Sequence, residues 1–168
     1  MMAIRLLSSI LVVFACMAAG TGTVGAQGEG NTARAMTAQW AGSDDTDAFL
    51  RQPAVRAELK KLLGPELKHL EHNLNVKGAV DLSGSTLSVN GNAPHGGTEE
   101  EAVVCVTPTN KTVMVEAAIL SQGSITVYAR ADKYEYTTIC IKDWITQANS
   151  GHVDRIKQPA NVRVTRPR

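Results

Sequence analysis

The chain has 168 residues, 43% of them hydrophobic and only 4% aromatic, and its 17 Lys and Arg nearly balance its 16 Asp and Glu. That length gives one ordinary domain with a sizeable core. Near-neutrality hides an acidic body over residues 27–148, which argues against nucleic acid as a partner, and the apolar run Leu6–Ala19 is too short for stable membrane insertion.

The N-terminus reads as a secretion signal over residues 1–26. Met1–Arg5 is positively charged, Leu6–Ala19 is mostly apolar, and Val24-Gly25-Ala26 is a small-residue cleavage site near Ala26. The expected location is therefore periplasmic or secreted. A minor alternative makes Cys16 a lipidated first residue, which Phe14 disfavours. Cleavage removes Arg5, and the remaining charge is unevenly spread. Residues 27–148 hold fifteen carboxylates against eleven Lys and Arg, while the tail beyond Asn149 is basic. An acidic body favours a cationic protein as partner. Cleavage also removes Cys16 and leaves Cys105 and Cys140. An even pair in an exported chain is read as a disulfide, with two buried thiols as the alternative.

Residues 27–45 are rich in Gly, Thr and Ala without periodicity and read as a flexible leader, with Trp40 its one bulky residue and a candidate to dock. Asp44–Asp47 is a capping cluster ahead of Ala48-Phe49-Leu50. Pro53 suits a first helical turn, and Val55, Leu59, Leu62 and Leu63 form an i, i+4, i+7, i+8 stripe that Gly64 ends. A further short helix is expected over Pro65–Asn73.

From Val76 the period changes to two. Val76–Leu82 and Thr86–Asn90 read as a hairpin through Ser83-Gly84-Ser85. Ala102–Thr107, Thr112–Leu120 and Ile125–Ala131 follow, separated by the Pro108–Lys111 and Gln122-Gly123-Ser124 turns. Thr138–Gln147 is a closing helix, and residues 149–168 read as a basic disordered tail. The expected fold is α+β: a domain over 46–148 with about five largely antiparallel strands, covered by N-terminal helices and a C-terminal helix.

Chemical motifs are sparse. His69-Leu70-Glu71-His72 lacks the ligand spacing of the zinc protease motifs and reads as a solvated helix face. Glu99, Glu100 and Glu101 lie on an extended segment, so their carboxylates point to alternating sides. Cys105 has no base partner fixed by sequence. With no Gly-x-Ser-x-Gly, phosphate-binding glycine loop or paired-carboxylate signature, the expectation is a binding protein, not an enzyme, without cofactor or metal. Its candidate element is the loop Asn92-Ala93-Pro94-His95-Gly96-Gly97. Pro94 restrains the chain, Gly96 and Gly97 admit unusual backbone angles, and one imidazole is held at the tip.

The segment Leu70–Trp144 resembles the family of inhibitors of vertebrate lysozyme (Ivy). In that family a protruding loop has the pattern Cys-x-Pro-His-x-Cys, and Asn92–Gly97 falls on it with both cysteines replaced. Leu74–Val80, Glu100-Glu101-Ala102 and Ala117–Ser121 resemble the flanking features. The resemblance implies that His95 enters the substrate cleft of a lysozyme-type glycosidase and engages its catalytic carboxylates, with Pro94 as stiffener. Loss of the loop cysteines leaves an alternative: a non-inhibitory envelope-binding or structural protein with a diverged loop. A homodimer is left open.

Overall fold

The computed structural model describes residues 27–149 and 157–167, with side chains from residue 32 onward. The secretion-signal and Cys16 readings lie outside these residues, as does 150–156 of the tail. The chain is α+β. Helices α1 (Gln27–Trp40), α2 (Thr46–Leu50), α3 (Pro53–Leu63) and α4 (Leu67–Asn73) come first. They are followed by β1 (Val76–Lys77), β2 (Asp81–Ser83), β3 (Thr86–Asn92), β4 (Glu100–Pro108), β5 (Val113–Ser121) and β6 (Ser124–Tyr128). Helix α5 (Ile139–Ala148) and β7 (Val162–Thr165) complete the described elements. The strands form one open sheet in the order β1-β3-β4-β5-β6-β7, with β2 also paired to β3. Every pairing is antiparallel except β6 with β7.

Two apolar faces organise the packing. Val104, Val106, Val115, Ala117 and Ile119 meet Phe49, Val55, Leu59 and Leu70 on the side of α1–α4. Val103, Cys105, Ala118, Leu120 and Val127 meet Ile141, Trp144 and Ile145 of α5 on the other. Because β4 and β5 are covered on both faces, their sequences run almost continuously apolar instead of alternating with polar residues. Helix α5 is pinned to the sheet twice. Cys105 and Cys140 are disulfide-bonded, with Cα atoms 6.2 Å apart. The buried Glu116 carboxylate of β5 accepts hydrogen bonds from the Thr138 backbone N–H at 2.9 Å and hydroxyl at 2.6 Å, so the sheet caps the helix.

Three segments differ from the sequence expectation. Residues 27–45, expected to be irregular, contain α1. Its spacing of Met36 and Trp40 turns one face to the core, and Trp40 docks with its ring 5.6 Å from Phe49. Gly42 and Ser43 then exchange backbone hydrogen bonds with Val80 at 2.8 Å each. The expected Val76–Leu82 strand splits into β1 and β2, because Val80 turns fully into the core. Within 149–168, expected to be disordered, Val162–Thr165 adds a parallel strand, in register from Ile125↔Val162 to Tyr128↔Thr165, with Val162 buried. These changes give seven strands where about five were expected.

Candidate functional site

The loop singled out in the sequence is the turn region of the β3–β4 hairpin. Strand pairing ends at Asn92↔Glu101, and the Ala93 N–H donates to the Glu100 carbonyl at 2.9 Å. Two tight turns follow in succession. Gly96 N–H donates to Ala93 O at 3.0 Å around Pro94 and His95, and Glu99 N–H donates to Gly96 O at 3.0 Å around Gly97 and Thr98. His95 has φ 62°, so the first turn has proline followed by a positive φ, the pattern of a type II turn. That position ordinarily takes glycine; a left-handed conformation costs an L-residue roughly 1–2 kcal/mol, although His tolerates it better than most.

The glycines divide the work differently from the expectation. Gly97 uses its freedom, at φ 55°. Gly96 is needed for space: a Cβ there would lie 3.0 Å from the Cβ atoms of both Ala93 and Glu100. Asn92 donates from Nδ2 to the Ala93 carbonyl at 3.1 Å, tightening the start of the loop. Ala93 is buried, whereas Pro94 and His95 are exposed. Hollows of about 380 and 420 Å³ border the tip, and both reach Thr98.

The three carboxylates separate as an extended backbone requires. Glu99 is exposed beside the tip. Glu100 faces α4 and β5: Ser121 Oγ donates to Oε1 at 2.6 Å, Asn73 Nδ2 donates to Oε2 at 3.2 Å, and His69 Nε2 lies 3.2 Å from Oε2. The Ser121 hydrogen bond holds the Glu100 carboxyl below the usual carboxylate range; burial opposes it, and His69 and Asn73 add to it. Glu101 faces the opposite side, lining a hollow with Trp144 and Gln147, and burial pushes its carboxyl up.

His69 therefore belongs to the foot of the hairpin and not to a solvated face, with Nδ1 also 3.6 Å from Glu66. His72 is exposed. Among the described residues, no group of three or more His, Cys, Asp or Glu is placed to hold a metal ion, and no helix is long and apolar enough to cross a membrane. Cys105 and Cys140 join mid-β4 to α5, away from the hairpin tip. Asn73 and Ser121 escaped sequence reasoning. The available signal was the spacing Leu67, Leu70, Asn73, which puts an amide on the apolar stripe of the helix, where a polar side chain requires hydrogen-bond partners.

The family model for inhibitor of vertebrate lysozyme (Ivy) matches residues 54–151, more than half of the chain. The chain belongs to the Ivy family. The Ivy match runs from α3 through α5 and contains the whole His95 hairpin, while α1, α2 and β7 lie outside it. Neither a curated protein nor a solved structure matches this Ivy-family chain significantly.

Proposed function

We propose that the protein is an exported, periplasmic or secreted inhibitor of lysozyme-type peptidoglycan glycosidases, with the Pro94–His95 tip entering the substrate cleft. The observation that carries this reading is an exposed imidazole at the apex of a doubly turned, hydrogen-bonded hairpin inside an Ivy-family domain. Such glycosidases work with one protonated and one ionised carboxyl group. A neutral imidazole offers one donor and one acceptor, so it can bond both carboxyls and remove both roles. Pro94 and the two turns hold the tip in one conformation before binding, which limits the ordering cost. The excess of carboxylates over 27–148 supports steering of a cationic target, and the exposed Glu99 sits beside the tip. Asn92 and Gly97 stand where the resemblance places cysteines, and main-chain hydrogen bonds close this hairpin instead.

The test is binding of residues 27–168 to immobilised lysozymes of animal, phage and bacterial origin, with a chitooligosaccharide as competitor. Saturable binding displaced by the oligosaccharide is the expected result. Absence of binding, or binding indifferent to it, overturns the reading; the second outcome points to a non-inhibitory envelope protein.

A further inference from the structure

We infer that Glu100, gripped by His69, Asn73 and Ser121, is the brace that fixes the direction of the His95 hairpin; its inhibitory consequence rests on the function proposed above. Among the described residues, no side chain of 93–99 makes a hydrogen bond or ion pair with the body of the domain. The disulfide lies elsewhere. The direction of the tip is therefore set at its foot, and Glu100 is the residue on which the contacts converge.

Its backbone and side chain face different tasks. The Glu100 carbonyl accepts the Ala93 N–H that closes the hairpin, and Gly96 packs closely on its Cβ. Its carboxylate is meanwhile held by α4 through His69 and Asn73, and by β5 through Ser121, its register partner. Asn73 also donates to the Glu101 carbonyl at 3.3 Å and the Leu120 carbonyl at 3.1 Å, tying the ends of β4 and β5 together beneath the turn. Hydrogen bonds to an ionised acceptor are roughly twice as strong as neutral ones. The β3 leg is flanked on its outer edge by β1, at Gly91 and Asn92, and by β2, at Thr86, Leu87 and Ser88. His69, Asn73 and Ser121 are thus positioning residues that act through Glu100.

Amide hydrogen exchange reads this without any target present. In Ser121→Ala, and more strongly in Asn73→Asp, which sets a second carboxylate against Glu100, the Ala93, Gly96 and Glu99 amides should exchange about tenfold faster. The amides of Val104 and Val115 in the middle of the sheet should keep their wild-type rates. Asn73→Asp combined with Glu100→Gln reverses donor and acceptor for that one pair but leaves the Glu101 and Leu120 carbonyls without their donor, so it should restore part of the hairpin protection and not all of it. Ser121→Ala provides the reading should Asn73→Asp fail to fold. Unchanged hairpin exchange in Ser121→Ala overturns the brace, as does acceleration spread evenly over β4 and β5. If the exchange pattern appears but the wild-type protein inhibits no lysozyme, the brace stands and the proposed function falls.

Discussion

Removing the Cys105–Cys140 bond separates the stability of the domain from the order of its hairpin. The bond closes a loop with a sequence separation of 35, for which the chain-entropy relation gives about 4 kcal/mol. In a domain of this size that corresponds to a fall in Tm on the order of 10–15 °C. The double variant Cys105→Ala/Cys140→Ala should show it in thermal and urea unfolding, as should the wild-type protein under reductant. Helix α5 keeps its other anchors: Glu116 still caps it, and Ile141, Trp144 and Ile145 remain buried. The double variant should therefore remain folded at 25 °C. The hairpin foot draws its contacts from α4 and β5, so inhibition of a susceptible lysozyme should stay within about twofold of wild type, as expected for distant, independent sites. A folded double variant with inhibition reduced tenfold would refute this partition. So would a stability change below about 1 kcal/mol, which would remove the entropic account.

Other perturbations test the remaining contacts. Phe49→Ala empties a fully buried site against Trp40 and should cost about 3–5 kcal/mol in urea unfolding. Glu116→Ala leaves the Thr138 N–H and hydroxyl without their acceptor and should lower stability by about 1–3 kcal/mol, with fraying at the start of α5 visible by hydrogen exchange. Glu100 has a depressed carboxyl pKa in the fold, so its contribution is complete above the unfolded value of about 4.3 and fades as pH falls through the folded value. Urea midpoints of wild type and Glu100→Gln should accordingly converge in acid. Glu101 has the opposite sign: its raised pKa penalises the ionised form, and stability is lost as pH rises through the raised value. Glu101→Gln should thus stabilise the protein at pH 7, with a smaller gain at pH 4.

The centre of the fold was legible because its signals are local. The Val55, Leu59, Leu62, Leu63 stripe forms the buried face of α3, and the Thr112–Leu120 run with its flanking turns became β5. The two ends were not. Gly28 and Gly30 mask α1, whose face shows only in the spacing of Met36 and Trp40. Strand β7 is four residues long and takes its stability from parallel pairing with a strand more than thirty residues earlier, which no local pattern reports. At the site, Pro94 and His95 stood out by residue type, and the two turns kept them at the tip. Their support did not, because His69, Asn73 and Ser121 reach Glu100 across sequence separations of 31, 27 and 21. Even the backbone strain was displaced from its expected place, falling on His95 and Gly97 rather than on both glycines.

The most direct test of the central claim is the inhibition constant of His95→Ala against a lysozyme that the wild-type protein inhibits. The side chain is exposed and bonds no other described residue, and Ala suits the left-handed backbone at this position somewhat less than His, so the variant should lose no more than about 1 kcal/mol of stability. Loss of a central interface anchor should weaken inhibition by about tenfold or more. An unchanged inhibition constant would contradict the account, because the imidazole would then not be what blocks the cleft.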